Sequence, residues 1–171
     1  PETPPLALWP DGCQDVIQGG DFEGELGLWQ LNGATAIDAA RAYSGAHSVR
    51  FTGGPSATGA LSYPVELPAA PAAGVLWFAY RIETSDGGWG TAPELPFDDV
   101  FTVELRASSG EVVSSLLRSG NSADTASDGL PWDRYLQHLS DEELGRLAAA
   151  GSLTLTFTAV NDADTRPTDV W

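Results

Sequence analysis

Short runs of alternating apolar and polar residues, separated by turn-forming residues, follow one another along most of this sequence. The clearest run is 152–158, Ser-Leu-Thr-Leu-Thr-Phe-Thr, in which every second residue is apolar and the others carry hydroxyl groups. The run 101–106, Phe-Thr-Val-Glu-Leu-Arg, has the same period. A period of two is that of a β-strand with one buried and one solvated face. The pattern therefore predicts half-buried strands, with Phe101, Val103 and Leu105 pointing into a core.

Eleven segments are predicted as strands, and clusters of Gly, Pro, Asn, Asp and Ser separate them. Many short strands between turn signals are typical of an antiparallel sandwich. The predicted strands are 16–18, 27–31, 34–37, 47–52, 60–67, 74–82, 97–107, 112–118, 135–137, 152–159 and 169–171. We therefore expect an all-β fold, an antiparallel β-sandwich of the jelly-roll type.

One short helix is predicted over 141–150. The residues Ser140-Asp-Glu-Glu143 form a capping box, in which a serine hydroxyl and a glutamate carboxylate bond each other's terminal amides. Gly151 follows at a position that favours a left-handed helix end. The residues expected on its buried face are Leu144, Leu147 and Ala148. We interpret this helix as a lid on one end of the sandwich.

The segment 18–29 concentrates turn residues, aromatics and carboxylates at the start of the β-rich region. Two adjacent glycines open it, and Phe22 and Trp29 are large anchors for a core. Its carboxylates are Asp21, Glu23 and Glu25, which are oxygen donors of the kind that calcium prefers. The segment is predicted to form the first corner of the sandwich.

The charge of the chain excludes several partners. Its net charge is −16 and its pI is about 4.1, so nucleic acid and anionic membrane surfaces would repel it. All eight cationic residues are arginines, which excludes a Schiff-base or P-loop lysine. No run of residues is apolar and long enough to predict membrane insertion. Cations and neutral polymers such as glycans are the partners that remain.

The residue content gives no support to an enzyme. The chain has two histidines and a single cysteine, and it lacks a Gly-x-Ser-x-Gly elbow. A pair of carboxylates for glycoside hydrolysis stays open, because such residues need only meet in space. We therefore predict a protein that is not an enzyme.

Residues 1–13 are predicted to form a proline-rich N-terminal arm or linker, ahead of a sandwich domain over 14–171. The arm holds four prolines, which keep it out of the middle of a sheet. Its apolar Leu6, Leu8 and Trp9 indicate that it lies on a surface, its own or a neighbour's. Cys13 is either a free thiol or part of an intermolecular disulfide. Because the chain does not begin with Met, we expect upstream residues to have been removed or cut away.

Three segments together resemble a known group of domains. They are 18–24 (Gln-Gly-Gly-Asp-Phe-Glu-Gly), 43–51 (Tyr-Ser-Gly-Ala-His-Ser-Val-Arg-Phe) and 76–81 (Leu-Trp-Phe-Ala-Tyr-Arg). In order and spacing they resemble the galactose-binding-like jelly rolls, which include the carbohydrate-binding modules of secreted glycoside hydrolases and of bacterial surface proteins. The resemblance spans about 14–171. It implies a non-catalytic extracellular or cell-surface module, carbohydrate-binding or adhesive, whose partner is a glycan or cell-surface polymer.

The resemblance also implies a structural calcium ion. Carried over residue by residue, Glu23 is a side-chain ligand, and Asp21 and Ala46 offer side-chain or carbonyl oxygens nearby. In the resembling domains an aspartate pair in the last strand completes the site. The sequence given ends at Thr168-Asp-Val-Trp171 without that pair, and Asp169 is a poor substitute; truncation, a disordered tail and completion by a neighbour all stay open. The alternative is that Asp21 and Glu23 are turn carboxylates only.

Aromatic residues in loops are the candidate glycan ligands, since such modules stack rings against sugars. Trp89 lies between glycines and is predicted to be an exposed tip. Trp132 and Tyr135, with Arg134 between them, form a second candidate, or they plug the end of the sandwich. Trp29 and Trp77 lie on strand patterns and are predicted to be core.

A second function also fits the sequence. The unfinished last strand would leave a sheet edge unpaired, and an apolar arm from a neighbour could complete it by strand addition. The protein would then be a structural subunit that assembles with other copies into an extracellular filament or surface layer. The segment 6–9, Leu-Ala-Leu-Trp, is the candidate donor strand.

Overall fold

The structure is a computed structural model, and it describes residues 14–68, 71, 73–84, 99–120, 132–163 and 165–171. The described residues form eleven strands and one helix. In chain order these are β1 (Gln30–Gly33), β2 (Thr35–Asp38), β3 (Ser48–Phe51), β4 (Thr58–Val65), β5 (Gly74–Tyr80), β6 (Ile82–Thr84), β7 (Val100–Ala107), β8 (Val112–Gly120), β9 (Asp133–Leu139), α1 (Asp141–Ala149), β10 (Leu153–Val160) and β11 (Thr168–Val170).

The strands form antiparallel sheets in two layers. One layer is a five-stranded sheet in the order β1-β4-β10-β7-β8. The other contains the sheets β2-β3-β11-β6 and β5-β9. These two sheets meet at Arg81, between β5 and β6, whose amide donates to the Trp171 carbonyl at 2.8 Å and whose carbonyl accepts from the Trp171 amide at 2.9 Å. The second layer therefore runs without interruption from β2 to β9.

The core lies between the layers and is rich in aromatic contacts. The Phe51 and Phe101 rings meet at 5.8 Å, and the Phe78 and Phe157 rings at 5.3 Å. Each pair joins a strand of one layer to a strand of the other, so the two layers form a sandwich. Trp29 packs at one end of this core, 4.8 Å from the Tyr63 ring.

The outer face of the five-stranded sheet is polar. Leu153, Leu155 and Phe157 of β10 are buried, so the intervening Thr residues of β10 point outward. On that face Thr156 is paired with Ser62 of β4 and Glu104 of β7. The hydroxyl-bearing positions of the 152–158 run are therefore the solvated face that the alternation predicted.

The all-β prediction is confirmed, with local differences. Residues 16–18 are not a strand, because side chains take their backbone amides: Ile17 donates to Asp15 Oδ1 and Gln18 donates to the Tyr63 hydroxyl, both at 3.0 Å. The predicted strand 74–82 is divided into β5 and β6 at Arg81, where the pairing partner changes from β9 to β11.

The helix prediction is confirmed in its capping box at Ser140 and Glu143 and in the positive φ of 75° at Gly151. Leu144 and Leu147 are buried. Ala148 is exposed, so the prediction that it lies on the inner face was wrong.

Two of the predicted functional segments lie outside the described residues: the arm 1–13 with Cys13, and Trp89. Across the described ranges, no helix is both long and apolar enough to cross a membrane.

Candidate functional site

The strands β5 and β9 present large apolar side chains on both faces. Leu76 and Phe78 of β5 pack against the core, so Trp77 between them lies on the opposite, outward face. Leu136 is paired with Trp77 across the two strands and is 46% exposed. This pair places apolar groups on the outside of the second layer.

Two further rings extend this patch. The ring of Tyr43, from the loop between β2 and β3, lies 5.7 Å from the Trp77 ring and 6.0 Å from the Trp132 ring. Both contacts are edge-to-face, and all three residues are partly exposed. We call Tyr43, Trp77, Trp132 and Leu136 the aromatic surface. It offers a sugar ring several aromatic groups within one sheet face.

Polar side chains border the aromatic surface. Arg134 and His138 alternate with Leu136 along β9 and are therefore on its outward face. Both residues are exposed. Guanidinium and imidazole groups can bond the hydroxyls of a sugar whose ring stacks on a neighbouring aromatic.

The structure separates the residues that the sequence grouped as glycan ligands. Trp132 and Arg134 lie at the aromatic surface, but Tyr135 lies on the opposite face of β9. Its ring stacks on Phe78 at 4.8 Å and its hydroxyl donates to the Gln137 side chain. Burial, and then the nearby Glu143 charge, raise the pKa of Tyr135. Tyr135 therefore packs against the core and does not contribute to the aromatic surface.

Sequence reasoning missed three of the four members of the aromatic surface: Tyr43, Trp77 and Leu136. The prediction that Trp29 is core is confirmed by its 7% exposure, whereas the same prediction for Trp77 was wrong. The signal for Trp77 was present, because three consecutive large apolar residues in a strand cannot all face one core. Tyr43 gave no such signal, since it reaches the sheet from a loop.

Hydrogen bonds to Glu23 join the acidic corner, residues 18–29, to the loop between β2 and β3. Glu23 Oε1 accepts the Ala46 amide at 2.6 Å and the His47 amide at 2.8 Å, and its Oε2 lies 3.1 Å from His47 Nδ1. These bonds, the His47 amide first, lower the pKa of Glu23. Asp21 accepts the Glu23 amide at 3.4 Å. The corner thus brings together all three residues predicted as calcium ligands, Asp21, Glu23 and Ala46.

The donors around Glu23 do not fit a calcium ion as they stand. Both of its carboxylate oxygens face N–H groups or a ring nitrogen, and Ala46 turns its amide rather than its carbonyl toward the carboxylate. A calcium ion needs six to eight oxygen ligands. Among the described residues, no group of three or more His, Cys, Asp or Glu side chains is placed to hold a metal.

Comparison with known proteins gives the fold. No protein-family profile matches the sequence, and no curated protein matches it. A structure of TmCBM61 in complex with β-1,4-galactotriose is similar, with a TM-score of 0.56, 18% identity, and coverage of 92% of this chain and 94% of that one. A structure of carbohydrate-binding modules from the β-sandwich superfamily has a TM-score of 0.50 and 14% identity, over 88% of this chain and 57% of that one. The chain therefore has a carbohydrate-binding-module-like β-sandwich fold.

Proposed function

We propose that this protein is a non-catalytic carbohydrate-binding module and that the aromatic surface is its glycan-binding face. The observation that carries the proposal is the meeting of Tyr43, Trp77 and Trp132 on one outward sheet face. The C–H faces of sugars stack on aromatic rings, and a few polar groups at the border fix the orientation. The fold supports the proposal, although a fold alone does not determine a ligand.

The proposed partner is an extracellular glycan or cell-surface polymer. The net charge of −16 favours neutral chains over polyanions, because a polyanion would be repelled by the whole molecule. Within this acidic protein, Arg134 and His138 supply hydrogen-bond donors at the border of the aromatic surface. The resemblance to modules of secreted enzymes supports a location outside the cell or at its surface.

A glycan array followed by isothermal titration calorimetry tests this function. We expect at least one glycan to bind, and Trp77→Ala or Trp132→Ala to weaken its binding by roughly tenfold or more, since truncating an aromatic anchor at the centre of an interface costs about 2 kcal/mol or more. Leu136→Ala, on the surface, should weaken binding, and Leu28→Ala is the matched control, because Leu28 is 59% exposed elsewhere. Binding that survives both tryptophan substitutions would contradict the proposed face, and a blank array would contradict the function.

A structural calcium ion at the acidic corner is a separate proposal, supported by the resemblance and by the proximity of Asp21 and Glu23. For calcium to bind there, the Glu23 carboxylate would have to give up its hydrogen bonds from the Ala46 and His47 amides. Thermal unfolding with added calcium and with a chelator tests it. A rise in Tm with calcium that is absent from Glu23→Ala would support the ion, and identical melting curves would count against it.

A second candidate function is a structural subunit of an extracellular filament or surface layer. The observation in its favour is that, within the described residues, β5 pairs only with β9, which leaves its other edge free for an added strand. The proposed donor is the arm of another copy. Light scattering of the full chain and of a variant lacking 1–13 tests it: polymers that persist without the arm, or a monomer in both cases, would exclude assembly through the arm.

A further inference from the structure

The loop 39–47, between β2 and β3, supplies one of the three rings of the aromatic surface. Trp77 lies in β5 and Trp132 directly precedes β9, so the sheet itself positions both of them. Tyr43 has no such support from a strand. Its contacts with Trp77 and Trp132 exist only if the loop holds one conformation.

The first anchor of this loop is Arg41, two residues before Tyr43. Its guanidinium pairs with Glu83 of β6 at 2.8 Å and lies 5.0 Å from the centre of the Trp171 ring. Its backbone carbonyl accepts a hydrogen bond from Ser48 Oγ at 2.7 Å. Ion pairing, a cation–π contact and a backbone bond therefore fix one side of the loop on the outer face of the second layer.

The second anchor is Glu23, on the other side of Tyr43. Its carboxylate accepts the amides of Ala46 and His47, at the end of the loop. Gly45 has a φ of 74°, and a Cβ at that position would overlap the Glu23 carboxylate. The glycine therefore allows the carboxylate to reach these amides.

We infer that Arg41 and Glu23 are positioning residues for glycan recognition, which hold loop 39–47 so that Tyr43 is in place before the ligand arrives. This inference rests on the proposed function of the aromatic surface. A side chain that is ordered in advance loses less entropy on binding, and the gain appears as affinity. Loss of an anchor should then weaken glycan binding by about two- to tenfold while the sandwich stays folded.

A double-mutant cycle separates positioning from direct contact. Dissociation constants are measured for the wild type, Arg41→Gln, Tyr43→Ala and the double variant. Arg41→Gln should weaken binding in the wild type and have no further effect in Tyr43→Ala, because Arg41 acts through Tyr43. An equal loss in both backgrounds, or no loss in the wild type, would overturn the inference.

Arg106→Gln is the matched control. Arg106 pairs with Glu104 at 2.5 Å on the five-stranded sheet, and its side chain is 39% exposed, against 42% for Arg41. The two substitutions remove similar surface ion pairs, but only one of them is next to the aromatic surface. Affinity should be unchanged in Arg106→Gln; an equal loss in both variants would show a general charge effect and contradict the inference.

The loop can also be tested without a glycan. Nuclear Overhauser effects between the Tyr43 ring and the Trp77 and Trp132 rings report the contact directly. We expect them to disappear in Arg41→Gln and in Gly45→Ala and to persist in Arg106→Gln. Contacts that persist in both loop variants would overturn the inference whether or not a glycan is found. Contacts that disappear, in a protein that binds no glycan, would uphold the anchoring and refute the proposed function alone.

Discussion

Replacing Asn161 with alanine should destabilise the sandwich, because this buried side chain ties the last strand to the rest of the fold. Its Oδ1 accepts the Thr168 amide at 2.9 Å and the Gly54 amide at 3.4 Å, and its Nδ2 donates to the Thr168 carbonyl at 3.2 Å. Asn161 is 7% exposed and Thr168 is 4% exposed. Alanine would leave both backbone groups of Thr168 without these partners.

The expected cost follows from those two buried groups. A buried donor or acceptor left unsatisfied costs about 1–3 kcal/mol. A small cavity of about 10 Å³ already adjoins Asn161 and Thr168, and the truncation would enlarge it enough to admit water, which recovers part of the loss. The net decrease in the free energy of unfolding should be about 2–4 kcal/mol.

Urea denaturation, followed by tryptophan fluorescence, measures this decrease. Asn32→Ala is the control, because Asn32 is an exposed asparagine of β1, and it should change stability by less than about 0.5 kcal/mol. A decrease below about 1 kcal/mol in Asn161→Ala, with an unchanged m-value, would refute the view that the carboxamide holds β11 in place.

Three further predictions concern tyrosine ionisation, helix capping and a glycine. Burial, followed by a hydrogen bond to a carboxylate, raises the pKa of Tyr80 to about 12. The free energy of unfolding should fall as the pH rises from about 10 to about 12, because the phenol ionises first in the unfolded chain. Ultraviolet titration of the wild type against Tyr80→Phe checks the raised pKa. Ser140→Ala should cost about 1 kcal/mol in urea denaturation by removing the helix N-cap. The Ser140 amide and hydroxyl lower the pKa of Glu143. The contribution of this carboxylate to stability should therefore be present above a pH of about 4.5 and be lost as the pH falls. A carboxyl NMR titration measures the pKa. Gly33→Ala should destabilise by more than about 2 kcal/mol, since a Cβ there would overlap the Thr58 carbonyl at a positive φ; a stability equal to the wild type would contradict this steric argument.

The strands were predictable wherever alternation was strict. In 152–158 and 101–106 the apolar residues face the core and the polar residues between them face outward, so the sequence alone identified the inward side chains. The run 74–82 is apolar at nearly every position and gave no sign that the strand changes partners at Arg81. Its first part pairs with β9 and its second part with β11, and Arg81 pairs with Trp171, ninety residues away. No local pattern carries that information.

The candidate site was only partly predictable for a related reason. Trp132 and Arg134 were found because an aromatic and a cation stand together in a loop sequence. Tyr43 and Trp77 were missed because their meeting is a product of tertiary structure. The residues at the Glu23 corner were interpreted as calcium ligands, but sequence cannot show whether a carboxylate will meet cations or amide N–H groups.

The contrast between the two outer faces bears on how the molecule would sit on a polymer. One face carries aromatic rings, and the opposite face carries threonine and serine hydroxyls on the central strands β4 and β10. If the rings adhere to a glycan fibre, the hydroxyl face is turned toward the solvent, and the protein has a defined top and bottom at that surface. A fluorescent probe or fused domain attached to the outward residues of β10 would then point away from the fibre. The same attachment beside Leu136 would lie against it.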